Sequence, residues 1–308
     1  MLGAIIGDVY GSIYEFDNEK DKSKIKLSRF STPTDDSIMT IAISKALLIC
    51  YDELISKTED YEKHLYDKCE EIMVAYGNAY SRKGYGGRFR KWLVDPNRKP
   101  YGSYGNGSGM RVSPVGWMFD SLEDTLNIAR ITAEPTHNHP EGIKGAQAIA
   151  AGIYLLRMGK TKEEVKKYIA ETFEYDLDRK LDDIKKHYKF EVSCQKSVPE
   201  AIISFLEGES YEEVILNAIS LGGDSDTIAC MAGALAEVIY KIPDYIREGV
   251  IENISNQHEL KPRDFEFYNK VVLKKKNPNF HEPPVEFEYS KFNPLEYLKD
   301  LGLGRNLE

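Results

Sequence analysis

The chain has 308 residues, 42% hydrophobic and 30% charged, the make-up of an ordinary soluble globule with a sizeable core. A net charge of −9, from 41 basic and 50 acidic residues, argues against a broad phosphate-neutralising surface and hence against general nucleic-acid binding, leaving room for a local basic pocket for a small anion. Cys50, Cys69, Cys194 and Cys230 are scattered without a C-x-x-C pair, which argues against a zinc site and for reduced thiols.

The opening run Met1-Leu2-Gly3-Ala4-Ile5-Ile6-Gly7 is apolar, but Asp8 interrupts it far short of a membrane span, and it lacks the basic leader of a signal peptide. A cytoplasmic protein without a membrane anchor is expected. Residues 2–15 read as a helix with Gly3, Gly7 and Gly11 on one stripe, which lets a neighbouring helix approach closely. Asp8 and Glu15 would share a face, about 10 Å apart along the axis. The lysine-rich stretch 17–33, ending in Thr32-Pro33, reads as a loop. From Asp36, the apolar positions Ile38, Ile41, Ala42, Ala46 and Ile49 predict a helix. Another is expected over 58–80. Seven glycines from Gly84 to Gly109 then mark a long functional loop. Helices are predicted over 121–130, 141–158, 161–173, 198–207, 211–220 and 226–240, and one more from Pro243 to about 258. No alternation is regular enough for a sheet, so the fold class is all-α. The domain reading is one all-α unit over 1–260 with a charged, proline-containing extension over 261–308 packing on it.

Two acidic segments nearly two hundred residues apart carry the densest chemistry: Thr34-Asp35-Asp36-Ser37 and Gly222-Gly223-Asp224-Ser225-Asp226-Thr227. Each opens a run that reads as a buried helix. A single aspartate, serine or threonine there is accounted for as a cap for the free N–H groups of the first turn. Four aspartates with flanking hydroxyls exceed that need, and gathered in one fold they repel unless cations lie between them. Two divalent cations balance four carboxylates, and oxygen-only ligands favour Mg2+ or Mn2+ over zinc. Asp224 and Asp226 can address one ion and bridge to a second, with Gly222 and Gly223 permitting the backbone this demands. Two ions about 3.5–4 Å apart clamp vicinal oxygens of a substrate.

The stretch Gly102-Ser103-Tyr104-Gly105-Asn106-Gly107-Ser108-Gly109-Met110-Arg111 offers backbone N–H groups for a diphosphate, with Arg111 adding a charge and Gly84-Tyr85-Gly86 a second wall. A plain flexible loop is the competing reading for glycine richness alone. His137 and His139 form an H-x-H pair without a third zinc ligand nearby, so one is expected to meet the ligand and the other to shape the turn. Glu15 is a candidate acid or base if it lies partly buried beside metals, and an ordinary helix-end glutamate otherwise.

Taken together, Gly3-Ala4-x-x-Gly7-Asp8 leading to Glu15, Thr34-Asp35-Asp36, the Gly-x-Tyr-Gly-Asn-Gly loop, Thr136-His137 and Gly222-Gly223-Asp224-Ser225-Asp226-Thr227 resemble the ADP-ribosylglycohydrolase family, which includes the dinitrogenase reductase-activating glycohydrolases. The resemblance spans about residues 1 to 240. It implies a compact orthogonal multi-helix bundle with a binuclear magnesium or manganese site in a central cleft. The family's metal ligands carry over to Thr34, Asp35, Asp36, Asp224, Asp226 and Thr227. Its ADP-ribose contacts carry over to Gly84, Gly86, Gly102, Ser103, Tyr104, Gly105, Asn106, Gly107 and His137, and the catalytic glutamate of one branch falls on Glu15. The implied activity is metal-dependent hydrolysis at C1″ of the distal ribose, releasing ADP-ribose from an ADP-ribosylated protein or other acceptor, by a monomer. The alternative is a metal-dependent ADP-ribose-binding module without catalysis. The sequence departs from the family pattern after Gly84-Tyr85-Gly86-Gly87, where Arg88, Arg90 and Lys91 turn one pocket wall basic.

Overall fold

Helices form at most of the expected places in the computed structural model, which describes residues 1–257 and 260–286. In chain order they are α1 (Leu2–Gly11), α2 (Asp35–Ile49), α3 (Tyr51–Ser56), α4 (Tyr61–Ala79), α5 (Gly87–Val94), α6 (Gly107–Met110), α7 (Ser113–Met118) and α8 (Leu122–Ala133). Then follow α9 (Pro140–Arg157), α10 (Lys162–Phe173), α11 (Leu181–His187), α12 (Cys194–Glu207), α13 (Tyr211–Ser220), α14 (Ser225–Ile239), α15 (Asp244–Asn256) and the short α16 (Leu273–Lys275). Among the described residues there is no sheet, only a single bridge between Gly105 and Ser193. The all-α expectation holds. No helix of the described residues is long and apolar enough to cross a membrane.

The centre of the molecule is the pairing of α1 with α14, both almost wholly buried. Glycine makes it possible. A Cβ on Gly3 would lie 2.4 Å from the Gly233 carbonyl oxygen, and one on Gly11 2.6 Å from the Asp226 Cα. The backbones meet at distances that no other residue permits. Around this pair, polar caps fix the helix starts. Ser121 accepts from Asp124 N–H (3.3 Å), Ser210 from Glu213 N–H (3.1 Å), and Thr161 forms a reciprocal capping box with Glu164.

Three sequence expectations change. The first helix ends at Gly11, not near 15, and residues 12–17 form successive turns with Tyr14 N–H bonded to Gly11 O and Asp17 N–H to Tyr14 O. Glu15 is therefore brought back by a turn and is not one face-step beyond Asp8. The fourteen-residue α12 begins at Cys194 and runs through Pro199. Burial of Cys194, Ser197 and Val198, with the Ser197 hydroxyl donating to Ser193 O at 2.8 Å, outweighs the proline penalty. Finally, the glycine-rich stretch is not one loop. It contains α5, anchored by a stack of Tyr85, Phe89 and Trp92 with ring centroids 5.3 and 5.5 Å apart, and ends in the turn α6.

Beyond α15, Phe265, Phe267, Tyr268 and Val272 are buried, and Asp264 accepts from the Tyr76 hydroxyl at 2.8 Å. Lys275 reaches the Met118 carbonyl at 2.7 Å. Residues 287–308, the rest of the extension expected from 261, lie outside the described residues.

Candidate active site: an acidic cleft between two helix starts

The close approach of α1 to α14 carries Asp8, one residue past Gly7, into the space between the starts of α2 and α14. Asp8 is fully buried, and its carboxylate ties down the first acidic segment. One oxygen accepts from the Thr34 hydroxyl (2.6 Å); the other accepts from Thr34 N–H (2.9 Å), Ser37 N–H (3.0 Å) and the Ser37 hydroxyl. Across the gap, the Thr227 hydroxyl donates to Asp36 Oδ2 at 3.1 Å, and Asn106 Nδ2 donates to Asp224 Oδ2 at 2.6 Å. The second acidic segment turns through Gly222 and Gly223, with φ of 71° and 70°, values that favour glycine.

Two carboxylate groupings result. Oxygens of Asp8, Asp36 and Asp226 lie within 4.8 Å of one another, and so do oxygens of Glu15, Asp224 and Asp226. Asp226 is common to both. Asp35 stands in the wall of the cleft, its amide bonded to Lys83 O at 2.7 Å and its Oδ1 facing Gly84, where a Cβ would come within 3.1 Å. Burial raises the pKa of every one of these acids. At Asp35, Asp36 and Asp226 the neighbouring carboxylates add to it, and the rise is large. Glu15 is pushed up to about 7, by burial first, then by Asp224 and Asp8. The leading opposing influences are hydroxyls, amides and backbone N–H groups, not lysine or arginine.

Such a cluster is charged at neutral pH only if cations neutralise it. Asp36 Oδ1 is buried without a hydrogen-bond partner, the state of an oxygen left free for a ligand. An all-oxygen set with an unpartnered carboxylate oxygen fits a hard divalent cation. Thr34 and Thr227 flank the set, with the Thr34 hydroxyl already engaged by Asp8.

Above this floor opens a cleft of about 470 Å3. Of the residues expected to meet substrate, Gly84, Gly86, Ser103, Gly105, Asn106, Gly107 and His137 line it, together with Glu15 and Asp35. Gly102 and Tyr104 do not. Gly102 turns the chain with φ of 63°, and the half-exposed Tyr104 ring packs edge-on against His139 at 5.4 Å. His139 in turn caps α9, accepting from Glu141 N–H at 3.1 Å, so it shapes the turn while His137 faces the cleft.

Arg111 does not add charge to the glycine loop as expected. It is buried, and its guanidinium donates to Thr132 O (3.1 Å), Ala133 O (3.3 Å) and the Thr136 hydroxyl (2.9 Å). With its oxygen accepting from Arg111, the Thr136 hydroxyl directs its own proton to His137 Nδ1, 2.7 Å away. On this assignment of the hydroxyl proton, Nε2 of His137 carries the hydrogen. Burial, Arg111 and Arg88 hold the imidazole well below its usual pKa, so it stays neutral, a donor 3.1 Å from where a Cβ on Gly107 would stand.

Sequence reasoning did not assign Asp8 to the acidic floor. The signal was a lone acid inside an otherwise apolar, glycine-striped helix. It also gave no role to Phe16 and Phe190, which stack at 5.7 Å on the rim beside Glu15. Nothing local links those two positions.

The family model for ADP-ribosylglycohydrolase matches residues 1–272 of this sequence. The chain belongs to the ADP-ribosylglycohydrolase family. Among members of this family, the ADP-ribosylhydrolase ARH3 of Xenopus tropicalis is 28% identical, the match covering 77% of this chain and 84% of the relative. The human ADP-ribosylhydrolase ARH3 is 26% identical, over 78% and 84%. The ADP-ribosylarginine hydrolase Tri1 of Pseudomonas putida is 25% identical, over 84% and 74%. A solved structure described as an ADP-ribosylglycohydrolase-related protein complex superposes with a TM-score of 0.56 at 21% identity, covering 82% of this chain and 93% of that one, which shows the shared fold.

Proposed function

We propose that this ADP-ribosylglycohydrolase family member is a metal-dependent hydrolase that releases ADP-ribose from an ADP-ribosylated acceptor. The observation that carries the reading is the convergence of Asp8, Asp36, Asp226, Asp224 and Glu15 under a cleft lined by Gly84, Gly86, Gly105, Gly107 and a neutral histidine. A cation-holding floor suits the vicinal hydroxyls of the distal ribose, and the basic wall above it suits the diphosphate next to that ribose in ADP-ribose. The names of the relatives point the same way.

Asp35, Asp36, Asp224 and Asp226, with Thr34 and Thr227, would hold two Mg2+ or Mn2+ ions. Bound there, the pair supplies positive charge that anchors vicinal hydroxyls of the distal ribose. Asp8 acts behind them, fixing Thr34 and Ser37. Ser103, Gly105, Asn106 and Gly107, with the Gly84–Gly86 turn, receive the rest of the ligand, and His137 donates through Nε2.

Hydrolysis breaks the bond between C1″ and the acceptor atom. Water adds its oxygen to C1″, and its two protons end on the new hydroxyl and the departing acceptor. One proton must therefore travel from water to the leaving atom. Glu15, half-buried at the edge of the cleft beside Asp224 and Asp226, can take it up and hand it on. Fixed orientation of the sugar and a prearranged field supply the remaining rate, and an oxocarbenium-like transition state follows from glycosidic chemistry.

The test is release of free ADP-ribose from peptides and nucleosides ADP-ribosylated on arginine, serine or base nitrogen, with Mg2+ or Mn2+ and with chelator. Metal-dependent release from one substrate and none from Asp224→Ala is the expected result. AMP among the products would instead mark a diphosphate hydrolase. Tight ADP-ribose binding with no release from any substrate would favour a binding module.

A further inference from the structure

The cleft has six carboxylates in or around its floor, yet ADP-ribose carries a diphosphate. Coulomb repulsion opposes its entry unless positive charge lies on a facing wall. Three arginines line the cleft: Arg88, Arg90 and Arg111. Arg111 is buried, and its Nη2 is turned to the two carbonyls and the hydroxyl described above. Arg88 and Arg90 are exposed and flank Phe89, whose buried ring locks the first turn of α5 in the aromatic stack. The helix beneath them is therefore a rigid support.

Arg88 is also oriented. Its guanidinium lies over the Tyr101 ring, 4.8 Å from the centroid, while Nη2 donates to the Tyr101 carbonyl. Tyr101 itself leads into Gly102 and tilts toward His137, with ring centroids 6.4 Å apart. The charge of Arg88 is felt at His137, whose pKa it helps to depress. Nη1 and Nε of Arg88 remain available, and Arg90 makes no ion pair or hydrogen bond among the described residues. The start of α5, at Gly86 and Gly87, has no side-chain cap.

We infer that Arg88 and Arg90 form a cationic wall that binds the diphosphate of ADP-ribose, so that this chain recognises the phosphates with side-chain charge, the amides of Gly102, Ser103, Gly105 and Asn106 being engaged within the protein. The inference rests on the proposed function, since it takes ADP-ribose as the ligand. Its consequence is selectivity. Ligands with the diphosphate are favoured over uncharged ribosides, and affinity falls with ionic strength, as it does for charge contacts open to solvent. Planar guanidinium donors match phosphate oxygens in pairs, which lysine does not.

The test is calorimetric titration of the Mg2+-loaded full chain with ADP-ribose at 50 and 300 mM NaCl, values chosen to span about a 2.5-fold change in screening length. Wild type is compared with Arg88→Gln, Arg90→Gln, the double glutamine variant and the double lysine variant. Both positions are exposed, so melting temperatures should stay at the wild-type value. Each glutamine variant should weaken binding about tenfold, and the double variant should lose most of its salt dependence. The lysine pair should recover the salt dependence but only part of the affinity. A double glutamine variant with wild-type affinity and wild-type salt dependence would overturn the inference while leaving the proposed function standing. Wild-type protein that fails to bind ADP-ribose at all would sink both.

Discussion

Gly7 lies flat against Ala229: a Cβ on Gly7 would sit 2.1 Å from the Ala229 carbonyl oxygen. Gly7 precedes Asp8 and Ala229 follows Asp226 by three residues, so this one contact sets the distance between two carboxylates of the floor. Gly7→Ala cannot be absorbed by a flexible side chain, because the obstacle is backbone. It should cost about 1–3 kcal/mol or more in urea unfolding. It should also weaken Mn2+ binding measured by calorimetry, since separating α1 from α14 pulls Asp8 away from Asp36 and Asp226. Wild-type metal affinity in a destabilised Gly7→Ala protein would show that the acidic floor does not depend on the helix pairing.

Stability of the metal-free protein should fall as pH rises. The raised carboxyls bind protons in the folded state that the unfolded chain has already released above about pH 4. Stability from such groups is complete below the unfolded value and is lost as pH climbs through the folded ones, which include about 7 for Glu15 and well-raised values for Asp35, Asp36 and Asp226. Each carboxyl still protonated contributes about 1.4 kcal/mol per pH unit. His137, with its lowered pKa, works in the opposite sense but is spent once the pH passes its ordinary value of about 6.5. Between pH 6.5 and 8 the melting temperature in chelator should therefore drop, and the increase produced by Mg2+ should grow. A chelated protein equally stable at both ends of that range would contradict the cation requirement of the floor.

Much of this site was legible in the sequence because each part of it is local. Thr34-Asp35-Asp36 and Asp224-Ser225-Asp226-Thr227 announce themselves as helix starts with too many acids, and the apolar stripes behind them announce the helices. Asp8 was less legible, because its meaning depends on which helix lies against Gly7. Arg111 misled for the same reason: adjacency to a glycine loop looked like phosphate binding, whereas the fold turns it inward to hold Thr136. The turn at residues 12–17 and the helix α5 were hidden by composition. Gly11 is held to glycine by the Asp226 backbone against it, which the sequence does not show, and α5 forms among glycines because Phe89 and Trp92 are buried.

Glu15→Gln should separate binding from turnover. The amide keeps the size of the side chain and removes its ability to accept and return a proton. Affinity for ADP-ribose should change by less than about threefold, while the hydrolysis rate falls by about 10²- to 10⁴-fold. The ionisation that belongs to Glu15 should vanish from the rate profile of the metal-loaded enzyme. If affinity collapsed and the rate per bound substrate did not, Glu15 would be a structural residue of the rim and not the proton carrier.

Thr136→Val tests the tautomer of His137. Valine preserves volume but leaves Nδ1 without its hydroxyl donor and removes one acceptor of the Arg111 guanidinium. With Nδ1 unpartnered, the proton is no longer confined to Nε2, and the donor aimed at the cleft is present only part of the time. ADP-ribose affinity should fall about three- to tenfold, the size of one hydrogen bond to a ligand. Nitrogen chemical shifts of the His137 ring read the tautomer directly: wild type should show a protonated Nε2, and the valine variant a mixture. A wild-type protein with its proton on Nδ1 would reverse the direction of the Thr136–His137 hydrogen bond and remove Nε2–H from the list of ligand contacts.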